Sequence, residues 1–440
     1  MTSTFSTEPF WREEAPLAAD DGARPPERAD VAIIGAGFTG LSCARRLAQA
    51  GRSVVVLDAD APGSGASARN GGMIGWGHRA RYATLSKAHG PAVAREILAE
   101  ARRSYEFTLG LIEEEGIDCR FRKTGRYLGA ASKKHYEALA READALRREV
   151  GLEIEVLTRA EQDREIVTDN YFGGLLMPSH GGLHPGLFVN GLIAATRRAG
   201  AQIVGCAPVT RLSREGEGAG AETVLDTPKG SVRAREVVFA ANGYGGKFSS
   251  ALRAFERRLI PLPSFIIATG KLGQNRVKAL MPGGRMHVDT RSVHSYFRAD
   301  PDGERILWGG RASLNPISPE AAEPRLRGHM ASIFPELRDT PVSHSWTGHI
   351  AYTRDSIPHT GKLDGVWFAC GYCGSGVAMA PYLGWRLAEK ILGTPEGATG
   401  FDTPAFEPVM PFYNGNPWFM RVVEAWHRLL DWKDGVRPAR

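Results

Sequence analysis

One segment near the start of the chain constrains its fold more than any other. Val31-Ala32-Ile33-Ile34 is an unbroken apolar run, as a parallel strand covered on both faces requires. It leads into Gly35-Ala36-Gly37-Phe38-Thr39-Gly40, after which Leu41, Ala44, Leu47 and Ala48 recur at helical spacing. Gly51 closes that helix, and Ser53-Val54-Val55-Val56-Leu57 makes a second buried strand ending at Asp58. Strand, glycine turn, helix, strand and acid in this order form a dinucleotide-binding unit. Gly35 permits the tight turn, Gly37 lets the backbone approach a pyrophosphate, and Gly40 lets the helix sit close to the strand. Phe38 and Thr39 open the helix, whose first N–H groups and positive partial charge attract phosphate. Asp58, about 20 residues beyond the glycines, is placed to accept hydrogen bonds from a ribose. The unit alone admits either NAD or FAD.

The rest of the chain supplies context. Amphipathic patterns predict helices over 96–115, 133–150 and 190–199, and short apolar runs predict strands at 126–128, 203, 209–212, 237–241 and 366–370. Two alternating strands, 295–298 and 305–308, flank a turn at Pro301-Asp302-Gly303. A last long helix follows the glycines at 371–376, with Pro381 tolerated near its first turn. The formal charge of +6 is spread over 440 residues without a basic run, which argues against a nucleic-acid partner. No apolar stretch approaches the ~20 residues of a membrane span, and the first 28 residues lack a secretion-signal layout, so the expectation is a cytoplasmic protein. Five scattered cysteines suit reduced thiols. Cys370 and Cys373 form a C-x-x-C without a second pair or paired histidines, so no metal site is expected.

A second small-residue segment, Ala66-Ser67-Ala68-Arg69-Asn70-Gly71-Gly72, can lie against a flat, extended ligand and present backbone donors to it. With that loop the chain resembles the D-amino-acid oxidase, glycine oxidase and sarcosine oxidase superfamily of FAD-dependent oxidoreductases, and within it the gamma-glutamylputrescine oxidase branch. The likeness covers nearly the whole chain. It runs from Pro9-Phe10-Trp11 through His184-Pro185-Gly186, 264–269, Tyr296-Phe297-Arg298 and Gly309-Gly310-Arg311 to Thr353-x-Asp355 and Gly371-Tyr372-x-Gly374-x-Gly376. The resemblance implies an α/β (α+β overall) architecture, a Rossmann-like FAD-binding domain with a second, antiparallel-sheet substrate domain. On this reading 29–78, 150–248 and 338–395 bind FAD, and 79–149 with 249–337 form the substrate domain. Residues 1–28 are an arm, and 396–440 a tail packed on the body.

Carried over by position, Val209 would meet the adenine, Ala241 and Asn242 would border the nucleotide, and Gly371, Tyr372, Gly374, Ser375, Gly376 and Val377 would lie against the flavin ring. Sarcosine oxidases have a lysine just after this loop and a cysteine before the T-x-D segment; here those positions are near Ala378 and within 349–352, with neither residue. FAD should therefore be non-covalent, and a substrate with a distal charge, such as an acylated diamine or an N-alkylated amine, fits better than one with an alpha-carboxylate beside the reacting nitrogen; the alternative is a carboxylate held by another arginine, with Arg298 and Arg311 as candidates. The implied reaction is oxidation of the C–N bond of a small amine or amino acid, with O2 or another acceptor taking the electrons. Tyr296, Arg298 and Trp308 are the candidate substrate contacts and His294 the candidate base. Alternatives are an oxidase module acting on an aminomethyl group in tRNA, and a flavin subunit of a larger dehydrogenase complex.

Overall fold

A computed structural model describes residues 5–77, 80–216, 218–244 and 252–436. Its first sheet has eight strands. Gly230–Phe239, Arg28–Ile34, Val54–Leu57 and Gln202–Val204 run parallel in that order, with Ile33 level with Val238 and Val56. Val366–Cys370 extends the parallel series beyond Gly230–Phe239, and His359–Leu363 closes that edge antiparallel. Glu222–Thr227 and Arg211–Glu215 add an antiparallel flap. The apolar run at 31–34 is continuous because both faces are covered. Val31 and Ile33 pack with the helices on one side, and Ala32 and Ile34 pack with Phe239, Phe255 and Phe368 on the other.

The helix Phe38–Gln49 follows the glycine turn directly, and the helix Gly376–Leu392 crosses it. Their seam is made of small residues. A Cβ on Gly40 would fall 2.0 Å from the Gly35 carbonyl oxygen, and one on Gly384 would fall 2.3 Å from the Thr39 carbonyl oxygen. Ser42 Oγ donates to the Pro381 carbonyl at 2.7 Å across the same seam.

The second sheet also has eight strands, ordered Val342–Tyr352, Ile260–Thr269, Ile306–Gly310, Ser295–Ala299, Met286–Asp289, Arg126–Gly129, Gly174–Met177 and Glu155–Leu157. All neighbours are antiparallel except Met286–Asp289 with Arg126–Gly129. The helix Pro319–Ile333 covers one face, over a core that includes Phe265, Phe297, Trp308 and Phe334.

Strand pairing draws the division between the two halves differently from the sequence reading. Glu155–Leu157, Gly174–Met177 and Val342–Tyr352 join the second sheet, although the ranges 150–248 and 338–395 would assign them to the first. A strand's sheet is decided by partners far away in the chain, and these three carry no local sign of theirs. The expected boundaries at 78/79 and 248/249 lie outside the described residues. The strand expected over 209–212 begins at Arg211 instead, leaving Val209 in a buried loop. The tail contains a helix, Met420–Lys433, that the sequence reading did not identify. Among the described residues no helix is long and apolar enough to cross a membrane.

The seam gives a direct test. Gly384→Ala forces a methyl group against the Thr39 backbone, so it should lower stability by about 1–3 kcal/mol, the usual cost of overpacking. A thermal melt of the purified variant that matches the parent would show that the two helices can part without penalty.

Candidate functional site

A cavity of about 940 Å3 opens at the carboxyl ends of the parallel strands and continues beneath the second sheet. At its first end Gly35 adopts φ +107°, and its Cα faces the 240–241 backbone so closely that a Cβ would lie 3.0 Å from Ala240 C and O. The Ala36 N–H donates to Asp58 Oδ2 at 2.6 Å, and the Asp60 N–H donates to Asp58 Oδ1 at 3.0 Å. Asp58 thus braces the glycine turn as well as lining the cavity, and burial raises its pKa above the usual carboxylate value. The Phe38 N–H donates to Ser67 Oγ at 3.0 Å, while a Cβ on Gly37 would meet that same oxygen at 3.1 Å. Gly37 has no side chain to cap the helix, so apart from the Phe38 N–H held by Ser67 the helix start opens on the cavity without a cap of its own. Val209, Ala241 and Asn242 line this end too.

The loop after Gly63 forms the next wall and is fixed by its own side chains. Asn70 Nδ2 donates to the carbonyls of Ala66 and Ser67, and Asn70 Oδ1 accepts from the Gly72 N–H. Arg69 Nε donates to Ser64 O at 2.8 Å and its Nη1 to Thr347 O at 3.2 Å. Two buried indoles, Trp11 and Trp346, donate to the carbonyls of Asn70 and Arg69. Opposite lies the turn before the last long helix. The Gly371 N–H donates to Asn242 Oδ1 at 2.9 Å, and Tyr372 Oη lies 2.6 Å from Thr39 Oγ1. Gly374, Ser375, Gly376 and Val377 line the cavity where this second helix begins. Two helix N-termini, each equivalent to roughly half a positive charge, therefore open on one trough.

Beyond the trough stands the second sheet. The Tyr296 ring packs on Gly309, where a Cβ would fall 2.1 Å from the ring, and close to Gly71, where a Cβ would fall 3.0 Å from it. Its hydroxyl is 3.0 Å from Ser264 Oγ, and burial raises its pKa, so the phenol stays protonated at neutral pH. Arg311 donates from Nη2 to the Tyr352 hydroxyl at 2.8 Å, with its guanidinium 5.2 Å from that ring centre. No described carboxylate lies within ion-pairing distance of Arg311. His294 lines the same wall, 6.4 Å from Tyr296 between ring centres.

Two of the expected substrate contacts face elsewhere. Trp308 is fully buried and stacks on Phe297 at 4.1 Å within the core of the second sheet, so it forms no wall of the cavity. Arg298 is also absent from the lining: its Nη1 donates to the carbonyls of Gly72 and Leu183 and its Nε to that of Ala299. Strand alternation gave the shared face of Tyr296 and Arg298 but not which partner each meets. Cys370 and Cys373 are buried thiols outside any disulfide, and Cys373 Sγ donates to Gly371 O. The sequence reading missed Trp76, Arg126, His180, Tyr244, Leu430 and Asp434, all of which line the cavity. They come from segments with no motif.

The trough fits FAD. It has glycines where a side chain would collide, an acid at the ribose position and a small-residue loop at each end. The FAD dependent oxidoreductase family profile matches residues 30–390. Gamma-glutamylputrescine oxidoreductase of Escherichia coli is 30% identical over 388 residues, covering 88% of each chain. Probable oxidoreductase OrdL of Rhizobium meliloti is 32% identical over 372 residues, covering 83% of each chain. Among solved structures, glycine oxidase from Geobacillus kaustophilus superposes with a TM-score of 0.70 at 21% identity, over 87% of this chain and 99% of that one.

Arg298 holds two carbonyls that flank the glycine loop, so Arg298→Ala should act on the scaffold. Loss of a buried, charged donor costs about 1.5–3 kcal/mol. The expected outcome is a lower melting temperature together with weaker flavin retention on gel filtration. An unchanged melt with a raised KM alone would instead make Arg298 a substrate contact.

Proposed function

The chain belongs to the FAD dependent oxidoreductase family, and from that membership we propose that it oxidises the C–N bond of a carboxylate-bearing amine or N-substituted amino acid. The observation that carries this reading is Arg311, a buried cation on the cavity wall whose only hydrogen-bond partner among the described residues is the Tyr352 hydroxyl. A cation removed from water without a counter-charge is unfavourable until an anion arrives. The compounds in the names of two similar proteins, gamma-glutamylputrescine and glycine, both carry an amine and a carboxylate, which supports the same class.

Bound FAD would accept the hydride from the carbon beside nitrogen and pass two electrons to dioxygen, while water hydrolyses the released imine. The protein's part is to position the substrate. Arg311 would hold the carboxylate, and the paired hydroxyls of Tyr296 and Ser264 would bound the reacting end and fix its orientation. Residues 371–377, all small apart from Tyr372, would let the ring approach closely. The helix start at Gly376 would stabilise negative charge on the reduced ring. Non-covalent attachment is supported by the absence of cysteine from 349–352.

Anaerobic mixing of the holoenzyme with a panel of amines, N-methyl amino acids and gamma-glutamyl polyamines should bleach the flavin with at least one carboxylate-bearing member. A flavin that stays oxidised across the panel overturns the reading. Arg311→Gln should raise KM for that substrate by about 10- to 100-fold with an unchanged flavin spectrum, as loss of one charged hydrogen bond requires. Acid precipitation should leave the yellow colour in the supernatant; colour in the pellet would mean a covalent link.

A further inference from the structure

One part of the cavity wall, here called the lobe, is formed by Leu98 of the helix Pro91–Glu114, Leu139 of the helix Lys133–Val150, and Leu152. Among these apolar groups stands Arg126, on the strand Arg126–Gly129. Its guanidinium makes no hydrogen bond or ion pair with any described residue, and its Nε is shielded from solvent without an acceptor. Three other poorly exposed arginines are provided for. Arg45 meets Glu114 and Glu115, Arg291 meets Asp289, and Arg298 meets three carbonyls.

Among the described residues the surroundings of Arg126 hold no counter-charge. The Tyr105 phenol is nearby, but its hydroxyl donates to Ser179 O. The His180 ring packs edge-on to Trp76 at 4.5 Å, and neither nitrogen makes a hydrogen bond of normal geometry, leaving only a loose contact to the Trp76 backbone. Burial and the Arg126 charge keep that imidazole neutral. Burial lowers Arg126 itself only to about 10, so it remains a cation at neutral pH. The carboxylates on this side of the cavity are engaged elsewhere: Asp289 by Arg291, Glu142 by the Tyr82 N–H, and Asp434 by Lys134.

We infer that Arg126, framed by Trp76 and His180, is a second anion subsite, and that the substrate is an amine carrying two carboxylates, one for Arg311 and one for Arg126. This rests on the reading of the cavity as the substrate site. A carboxylate suits the lobe better than a phosphate dianion, because one guanidinium and one neutral imidazole would leave a charge unmatched among leucines. The orphaned Arg126 Nε–H and the single N–H of the neutral His180 ring are the donors such a group would satisfy.

The test uses holoenzyme and a ligand series that needs no turnover. Linear dicarboxylates from succinate to pimelate are titrated against the visible flavin spectrum beside monocarboxylates of equal chain length. One dicarboxylate should bind at least about tenfold tighter than its monocarboxylate, the scale of one charged hydrogen bond. In Arg126→Gln that advantage should vanish, and in Arg311→Gln as well. Equal affinities in the parent protein, or a preference that persists in Arg126→Gln, overturn the subsite. Removing an uncompensated buried cation should leave the melting temperature equal or higher; a marked fall, or insoluble Arg126→Gln, would make Arg126 a structural strut and equally overturn it. If dicarboxylates bind through Arg126 while no amine reduces the flavin, the C–N reading falls and the subsite stands. If amines reduce the flavin without any dicarboxylate preference, the reverse holds.

Discussion

Everything at the trough depends on how closely the helix Phe38–Gln49 is allowed to lie between the glycine turn and the helix Gly376–Leu392. Gly40 on one side and Gly384 on the other leave no room for a methyl group. That contact fixes two helix starts against one trough although the segments are far apart in the chain; the bond between Thr39 and Tyr372 spans 333 residues. The geometry is set by backbone against backbone, which rotamer changes cannot relax. A ligand bridging the two helix starts therefore meets donors whose positions are already determined, and little ordering entropy remains to oppose binding.

The polar groups divide along the same line. Those that build the site are satisfied within the protein: Asn70 by three backbone groups, Arg298 by three carbonyls, Asp58 by two N–H groups. Those facing the substrate space are not. Among the described residues Arg311 meets only the Tyr352 hydroxyl, and Arg126 has no hydrogen-bond or ion-pair partner. Since native proteins leave few buried polar groups unpaired, the unpaired ones carry the information about what binds.

This division explains what the sequence could and could not tell. The strand–turn–helix–strand unit was legible because its glycines and apolar run each answer a local steric demand. The helix Lys133–Val150 was legible to the residue, since Ser132 caps its start and Gly151 ends it in the left-handed region. The substrate wall was not. Tyr296, Arg298 and Trp308 looked alike as large side chains on alternating strands, yet one lines the cavity, one braces a loop and one fills a core. Alternation assigns a face, but the occupant of that face comes from segments hundreds of residues away. Arg126 carried no signal at all, because an arginine on a short strand is ordinarily solvated surface.

The C-terminal helix shows the same principle at the mouth of the cavity. Met420–Lys433 lies where Leu430 and Asp434 complete the lining. Asp431 accepts from the N–H and hydroxyl of Ser292, Asp434 accepts from Lys134 and His135, and Glu424 accepts from the Leu314 N–H. These contacts tie the helix to the second sheet and to the helix Lys133–Val150. These are side-chain contacts, mostly partly buried, and the apolar cluster of Met420 with Leu262 and Leu314 adds to them. This wall rests on side-chain rotamers, whereas the seam behind the trough is backbone against backbone.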